Sequence, residues 1–282
     1  MVIARNPEKV RDIIARARQK QKTVGFVPTM GALHQGHLSL VRKAEKECVF
    51  TAVSIFVNPA QFGPEEDFSR YPRSFRQDRI LLEKEKVDLV FCPQPRIMYP
   101  EHFSTYVQES ALSDNLCGRS RPGHFRGVCT VVAKLFNIVQ PDKAYFGQKD
   151  LQQAIIIGRM VRDLDIPVKI RICPIIREKN GLAMSSRNRY LSSEEKVQAA
   201  AIYEALFCAR SRFKSGETSA LKLKNMIKNN IKAKAKKAKI DYISIVDYET
   251  LQDVKKIERK AAILAAVYIG KTRLIDNIII KP

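Results

Sequence analysis

The chain has 282 residues, of which 45% are hydrophobic, and it carries a formal net charge of +21 at pH 7. This length is enough to bury a sizeable core in one large domain or in two unequal ones. No apolar run approaches the roughly 18 residues that a membrane-spanning helix needs. The six cysteines form no CxxC pair, so the composition argues against both a membrane span and a structural zinc site.

The basic balance is compatible with a nucleic-acid partner, with a lysine-rich composition, or with an enzyme that acts on anionic substrates. Residues 1–20 are rich in arginine, but Glu8 and Asp12 interrupt them and no long apolar stretch occurs. We therefore expect an ordinary first helix here rather than a secretory or mitochondrial leader. Scattered cysteines are typical of free thiols in a reducing compartment, which predicts a cytoplasmic protein.

Apolar, β-branched runs alternate with segments of helical spacing through the first 176 residues. The predicted strands are 24–28, 48–57, 87–92, 144–146 and 168–174, and the predicted helices are 38–46, 74–86, 127–139 and 151–164. This alternation predicts an α/β fold with a Rossmann-like, doubly wound parallel sheet. Ligands bind such sheets at the carboxyl ends of the strands.

The pattern changes after residue 176. Ser192 and Glu195 form a capping-box signature ahead of an alanine-rich helix, lysine dominates residues 214–239, and strands are predicted at 243–246, 262–269 and 274–280. We therefore expect two domains: a Rossmann-like domain at 1–176 and a smaller α+β domain at 177–282.

The segment PTMGALHQGH, residues 28–37, places two histidines three residues apart where a strand leads into a helix. Zinc-binding helices space their histidines at i and i+4 with a glutamate between them, and this segment does not. Two interpretations remain open. The histidines could cap the helix or lie at the edge of the core, or they could recognise phosphate beside the positive end of the helix. Gly31 and Gly36 permit close backbone approach, and the strand-to-helix context favours phosphate.

The same segment resembles the HxGH signature of the nucleotidyltransferase superfamily, which includes class I aminoacyl-tRNA synthetases. MSSRN, residues 184–188, stands where that superfamily has a flexible loop of the KMSKS type. Further segments resemble the pantoate–β-alanine ligase family over nearly the whole chain and in the expected order. They are SIFVNPAQF (54–62), YPRSFRQD (71–78), RPGHFRGVCTVVAKLFNIVQPDKAYFGQKDLQQ (121–153), GLAMSSRNRYL (181–191) and RLIDN (273–277).

The resemblance implies an activity. That family forms pantoyl adenylate and pyrophosphate from ATP and pantoate, and β-alanine then attacks the adenylate to give pantothenate and AMP. It also implies Mg²⁺ bound with ATP and a homodimer. The first domain is then expected to bind ATP and pantoate, and the second to act as a lid.

The resemblance also implies site residues. His37 matches the catalytic residue, a proton donor to the phosphates. Gln61 is expected to bind pantoate and β-alanine, Gln153 to bind pantoate, and Asp78 to lie nearest the metal. The expected ATP contacts, with Ile176 acting through its backbone, are Met30, Gly31, Ala32, Leu33, His34, Gln35, Gly36, His37, Gly147, Gln148, Lys149, Asp150, Ile176, Met184, Ser185, Ser186 and Arg187.

Other interpretations stay open for several of these residues. Glutamine, lysine and aspartate are usually exposed, so Gln61, Gln153 and the GQKD run could be ordinary surface residues. Gln148 also stands where related sequences often carry glutamate. Arg121, His124 and Arg126 are second candidates, either near the active site or in a charged loop.

Two other functions are compatible with parts of the sequence. A nucleic-acid-binding protein could use the basic segment 222–239, although that segment lacks interleaved aromatic residues for base stacking. A related HxGH enzyme could use a different acceptor, but the NPAQF segment together with Gln153 favours a small hydroxy acid. We therefore expect small-molecule substrates and no specific nucleic-acid partner.

Overall fold

The computed structural model of the protein describes residues 1–64 and 66–282. Contacts divide this part of the chain into two compact units. The first comprises Met1–Asp114, Gly118–Gly147 and Gln153–Pro174, and the second comprises Asn115–Cys117, Gln148–Gln152 and Ile175–Pro282. The short segments Asn115–Cys117 and Gln148–Gln152 therefore have most of their contacts within the second unit, although the residues on either side of them in the sequence belong to the first.

A six-stranded sheet, all of whose pairings are parallel, forms the centre of the first unit. Its strands are β1 (Val2–Ala4), β2 (Val24–Thr29), β3 (Phe50–Ile55), β4 (Leu89–Phe91), β5 (Lys143–Gly147) and β6 (Lys169–Cys173). They lie in the order β1-β4-β3-β2-β5-β6. The strand order reverses between β2 and β5, and this switch point is where such sheets bind their ligands.

Helices cover both faces of this sheet. The helices up to residue 163 are α1 (Pro7–Gln19), α2 (Gln35–Glu47), α3 (Phe75–Lys84), α4 (Pro95–Met98), α5 (Cys117–Ser120), α6 (His124–Val139) and α7 (Leu151–Asp163). Apolar residues of α2 and α3, among them Val41 and Leu82, share one buried cluster with Val27 and Val53. On the opposite face the Phe136 ring of α6 meets the Phe26 ring edge-on. Burial on both faces explains why β2 and β3 read as continuous apolar runs.

The second unit has a three-stranded antiparallel sheet in the order β7-β8-β9. Its elements are α8 (Ser193–Lys214), α9 (Ala220–Lys234), β7 (Lys239–Asp247), β8 (Ala261–Ile269) and β9 (Thr272–Ile280). The predicted capping box is present, since the side chains of Ser192 and Glu195 each bond to the other residue's backbone N–H. The fold class predicted from the sequence, a doubly wound parallel sheet with a smaller α+β part, is confirmed.

The lysine-rich segment is helical over most of its length. Helix α9 buries Leu223, Ile227 and Ile231 on one side, while Lys222 and Lys228 are exposed. The lysines therefore cover the outer side of a helix that packs into the core. Among the described residues, no helix combines the length and apolar character that crossing a membrane requires.

Candidate active site

A strained turn follows β2 at the switch point. Gly31 has a φ of +80° and Ala32 a φ of +50°, so two consecutive residues are left-handed. The Thr29 hydroxyl accepts a hydrogen bond from the Gly31 N–H at 3.2 Å and donates one to the Ser54 carbonyl at 2.7 Å. The left-handed conformation explains the glycine at position 31, and the Thr29 bonds join the turn to β3.

Asp78, on α3, holds the same turn from the other side. Its two carboxylate oxygens accept hydrogen bonds from the Ala32 N–H at 2.9 Å and from the Leu33 N–H at 2.8 Å. The Ser74 hydroxyl donates a third at 3.3 Å, and Asp78 is only 1% exposed. A metal contact through Asp78 would compete with these hydrogen bonds, and its assignment to Mg²⁺ stays a prediction.

The two histidines of the HxGH motif lie at the start of α2. His34 is the N-cap residue, and its Nδ1 accepts a hydrogen bond from the Gly36 N–H at 3.1 Å. An accepting Nδ1 puts the proton of the neutral ring on Nε2, so Nε2–H is a donor. The rings of His34 and His37 are 4.1 Å apart, and the first helical turn has no acidic side chain. Capping and anion recognition are therefore compatible in this arrangement.

The segment after β3 brings Gln61 to the same turn. Residues Pro59–Gln61 form a 3-10 turn capped by Asn58. Gln61 is 8% exposed, and its Nε2 lies 3.0 Å from the Met30 sulfur. The Asn58 amide nitrogen donates to Gln61 Oε1 at 3.1 Å, and its oxygen accepts from the Tyr99 hydroxyl at 2.7 Å. Asn58 therefore orients Gln61, a role that the sequence analysis missed although NPAQF contained both residues.

The RPGHFRG segment holds the Gln61 backbone. His124 Nδ1 lies 2.8 Å from the Gln61 carbonyl oxygen, which only accepts, so Nδ1 carries the proton. Arg121 Nη1 lies 2.9 Å from His124 Nε2, and Arg121 can only donate. Arg121 also forms a two-bond pair with Glu66, at 2.7 and 2.6 Å. These neighbours favour a neutral His124 that positions the carbonyl of Gln61.

The other residues of this segment act differently. The Arg126 guanidinium lies over the Tyr106 ring, 4.8 Å from its centre. Gly127 allows α6 to approach the 3-10 turn closely, because a Cβ atom there would be 2.1 Å from the Ala60 carbonyl oxygen. The glycine therefore sets the distance between α6 and the backbone beside Gln61.

The GQKD segment is divided between the two units. Gly147 ends β5 in the first unit, and Gln148–Asp150 form a 3-10 turn in the second. Lys149 Nζ lies 3.8 Å from the Asp150 carboxylate. Within the second unit this turn is bonded to Asn277 of β9, a contact that the sequence did not reveal although RLIDN was noted.

The MSSRN segment belongs to the second unit and begins from a small hairpin. The Ile176 carbonyl accepts a hydrogen bond from the Met184 N–H at 2.9 Å. Ser185 caps the 3-10 turn Ser186–Tyr190, and its side chain accepts from the Arg187 N–H at 3.3 Å. The Asn188 amide nitrogen donates to Glu178 Oε1 at 2.7 Å. The base of this loop is therefore held by its own hydrogen bonds.

The two glutamines at the start of α7 differ in environment. Gln153 is half-buried and belongs to the first unit. Gln152 is buried, accepts from the Cys117 N–H at 3.0 Å and donates to the Asn115 carbonyl at 2.7 Å. Gln152 therefore fastens the 115–117 segment within the second unit, and the sequence analysis did not single it out.

Within the first unit, the fold gathers the segment from Met30 to His37, Gln61 and Asp78 around the end of β2. Gln148–Asp150, Ile176 and 184–187 lie in the second unit. Across residues 1–64 and 66–282, no three His, Cys, Asp or Glu side chains are grouped as a metal site would require.

The six-stranded parallel sheet with the HxGH turn at its switch point places the chain among the doubly wound α/β proteins, which bind their ligands at that point. Comparison with known proteins specifies the family, since the family model described as pantoate–β-alanine ligase matches residues 2–279. The chain belongs to the pantoate–β-alanine ligase family.

Relatives and solved structures agree with this assignment. The chain is 57% identical over 280 residues to the pantothenate synthetase of Thermotoga neapolitana, covering 99% of this chain and 100% of that protein. The crystal structure of pantothenate synthetase from Thermus thermophilus has a TM-score of 0.95 at 44% identity, with 100% of both chains covered. A pantoate–β-alanine ligase from Francisella tularensis, complexed with "Beta-gamma ATP" and β-alanine, has a TM-score of 0.80 at 38% identity, covering 99% and 97% of the two chains.

Proposed function

We propose that this protein condenses pantoate with β-alanine at the expense of ATP, giving pantothenate, AMP and pyrophosphate. Family membership supports the reaction. The observation that carries it is the arrangement at the end of β2. There the His34 and His37 rings lie 4.1 Å apart, and the Gln61 amide lies 3.0 Å from Met30. This arrangement combines a phosphate-binding helix start with a polar group for a small acid.

The first step forms the adenylate. A carboxylate oxygen of pantoate attacks the α-phosphorus of ATP, and the bond from that phosphorus to the bridging oxygen breaks to release pyrophosphate. We assign His37 as the proton donor to the phosphates and His34 Nε2–H as a further donor. Donors aimed at oxygens that gain negative charge stabilise the transition state, and the positive end of α2 acts in the same direction.

The second step transfers the acyl group. The β-alanine amine attacks the acyl carbon of the adenylate, AMP leaves with the electron pair of the broken C–O bond, and the nitrogen releases a proton as the amide forms. We assign Gln61 to pantoate and β-alanine, and Gln153 to pantoate. A carboxamide both donates and accepts, which suits hydroxyl and carboxylate groups together. Asn58 and His124 hold Gln61 in place for this role.

Further ATP contacts are assigned by the family resemblance. The segment from Met30 to Gly36 would contact ATP through its turn, and Gly147, Gln148, Lys149 and Asp150 would follow β5 to the nucleotide. Lys149 would neutralise phosphate. The remaining assigned contacts are Ile176, Met184, Ser185, Ser186 and Arg187.

Mg²⁺ enters this scheme as part of the substrate. The described residues offer no cluster of three candidate metal ligands, and Mg²⁺ commonly binds substrate phosphates with few protein ligands. We therefore treat MgATP as the substrate, with Asp78 as the nearest carboxylate assigned to the metal. We further propose a homodimer that acts in the cytoplasm, where ATP is supplied.

The direct test follows pyrophosphate and AMP release from MgATP, with pantoate and β-alanine added separately and together. Pyrophosphate equal to the enzyme concentration with pantoate alone, then turnover with AMP once β-alanine is added, is the expected result. Folded protein that gives no pantoate-dependent pyrophosphate would refute the proposed substrate.

The His37 assignment gives a quantitative prediction. His37→Ala should slow the single-turnover burst of pyrophosphate by about 100-fold or more, because charge stabilisation in the transition state is lost. His102→Ala is the matched control, since the His102 side chain is 89% exposed, and it should keep the wild-type burst rate. A normal burst in His37→Ala would remove the catalytic assignment.

A further inference from the structure

We propose that Asn277, on β9, positions the nucleotide-binding turn Gln148–Asp150 for ATP. The proposal rests on the proposed function, which assigns this turn to ATP. The Asn277 amide nitrogen donates to the Gln148 carbonyl at 2.8 Å and to the Lys149 carbonyl at 3.0 Å. Its oxygen accepts from Gln148 Nε2 at 3.1 Å.

The polar atoms of the Asn277 side chain are all directed at one turn. Both N–H bonds go to consecutive backbone carbonyls, and the oxygen goes to the Gln148 side chain. Asn277 is only 2% exposed. Backbone carbonyls fix the orientation of the amide, since only its nitrogen can donate to them. Hydrogen bonds made by a buried group are not readily exchanged for water, so they restrain the turn before any ligand arrives.

The preceding residue anchors Asn277 in turn. The Asp276 carboxylate accepts two hydrogen bonds from Arg177, at 2.6 and 2.9 Å, and a third from the Asn277 N–H at 2.7 Å. Arg177 also donates to the Gly181 carbonyl at 3.0 Å and lies 3.6 Å from the centre of the Tyr203 ring. Besides the pairing of β9 with β8, a largely buried ion pair therefore holds the strand beside Asn277.

This arrangement links two loops to adjacent residues of one strand. Asn277 holds the turn at Gln148 and Lys149, while Asp276 holds Arg177. Arg177 pairs with Ala183 in an isolated bridge, directly before Met184. A displacement of about 1 Å in a substrate-positioning group can cost about 100-fold in rate. We therefore expect the ATP interaction to depend on Asn277 more than the pantoate interaction does.

The test compares the KM for ATP with the KM for pantoate in two variants. Asn277→Ala removes all three side-chain bonds without adding a charge, and Asn277→Asp keeps the shape but replaces the donor with an oxygen that faces two carbonyls. Both should raise the KM for ATP at least fivefold, with Asn277→Asp the more severe, and leave the KM for pantoate within twofold.

Two matched variants separate positioning from general effects. Asn225→Ala makes the same truncation as Asn277→Ala at an exposed position of α9, so its KM for ATP should stay at the wild-type value. Asn229→Asp makes the same charge change as Asn277→Asp, but at an exposed position of α9, and its KM values for ATP and pantoate should match those of wild type. Equal loss for ATP and pantoate in the Asn277 variants would overturn the proposal, as would a lower Tm with a wild-type KM for ATP.

Direct ATP binding keeps this inference separable from the proposed reaction. The Kd of ATP, measured by titration calorimetry without pantoate, should rise at least fivefold in Asn277→Ala. If wild-type protein binds ATP but releases no pyrophosphate with pantoate, the proposed reaction fails, and the Kd comparison alone decides the role of Asn277. An unchanged Kd would then overturn it.

Discussion

The Asp78 carboxylate occupies the position beside the turn after β2 where an anionic ligand could otherwise bind. Backbone N–H groups in a left-handed turn converge, and such a concavity attracts negative charge. Here the N–H groups of Ala32 and Leu33 already donate to Asp78. The turn is therefore fixed by a residue of the protein, which leaves the histidines and the start of α2 as the proposed phosphate-binding groups.

Asp78→Asn tests this structural role. Asparagine replaces one carboxylate oxygen with an NH2 group, which would face the N–H of either Ala32 or Leu33 as donor against donor. We therefore expect a loss of about 1–3 kcal/mol in the free energy of unfolding. The KM for ATP should rise as well, and its response to additional Mg²⁺ shows whether Asp78 also contacts the metal. Urea denaturation and a Mg²⁺ titration of pyrophosphate release measure the two effects.

The same variant, Asp78→Asn, distinguishes a structural role of Asp78 from a role as an Mg²⁺ ligand. Full recovery of activity at high Mg²⁺, with unchanged stability, would instead establish Asp78 as a metal ligand. Asp12→Asn, at an exposed position of α1, controls for the loss of one negative charge and should change neither quantity.

At the scale of single residues, the sequence indicated which residues to consider for the site but not the contacts that each of them makes. The spacing of His34 and His37 left capping and phosphate recognition open, and His34 does cap α2. That role depends on a backbone conformation, φ −141° and ψ 175°, which no motif specifies. Leu33, which donates to Asp78, and Gly127, whose carbonyl accepts from Asn58, lie 45 and 69 residues away in the chain, so only the fold could reveal these two contacts.

Among the elements, the packing of α6 against the 3-10 turn Pro59–Gln61 bears most directly on the site. Gly127 permits this contact, while Asn58 donates to the Gly127 carbonyl at 3.0 Å. The Asn58 amide therefore connects α6, through the Gly127 carbonyl, to the side chain of Gln61. A change of one methyl group on α6 should reach Gln61 through the backbone.

Gly127→Ala should displace the 3-10 turn, because the new Cβ would lie 2.1 Å from the Ala60 carbonyl oxygen. We expect a cost of about 1–3 kcal/mol in the free energy of unfolding and a KM for pantoate raised at least tenfold. Steady-state kinetics and urea denaturation measure both.

A second glycine supplies the control for this change. A Cβ on Gly158, in α7, meets no atom within 4 Å, so Gly158→Ala should keep wild-type kinetics and gain slightly in stability through helix propensity. A wild-type KM for pantoate in Gly127→Ala would contradict the proposed link to Gln61.

Most strands and the long helices were predictable, including the three-residue β4 inside the predicted strand 87–92, whereas β1 and α4 were not. The runs that became β2 and β3 are continuously apolar because both faces of the sheet are buried, and the run that became α6 is apolar at helical spacing. Strand β1 and helix α4 have three and four residues, too few for any period to appear. Their positions depend on pairing with β4 and on packing elsewhere in the first unit.

At the scale of the whole molecule, Glu47 is notable because its carboxylate lies within ion-pair distance of three basic side chains of the first unit. Its carboxylate lies 2.8 Å from Lys43 Nζ on α2, 3.5 Å from Lys143 Nζ on β5 and 3.3 Å from Arg171 Nε on β6. The Tyr145 hydroxyl donates to it at 3.2 Å. The hydrogen bond from Lys43 is the largest cause that lowers the pKa of Glu47 from 4.5 to about 2.

This shift predicts a pH dependence of stability. Because the pKa of Glu47 is lower in the folded protein, the stabilisation is complete above about pH 4.5 and is lost as the pH falls toward 2. Glu47→Gln should therefore lower the urea midpoint at pH 7, and the difference from wild type should shrink as the pH falls through this range. A difference that stays constant with pH would contradict the assignment. Glu45→Gln, at an exposed position of α2, should match wild type throughout.

The hydrogen bonds from Asn277 to the turn at Gln148 also determine when this turn can be completed during protein synthesis. Gln148 leaves the ribosome 129 residues before the asparagine that holds it. At about 5–20 residues per second, this delay is roughly 6–26 seconds. For most of that interval the nascent chain already contains all six strands of the parallel sheet, since β6 ends at Cys173, while the side chain that fixes the turn has not been synthesised. The turn can therefore be completed only after the whole parallel sheet has been synthesised.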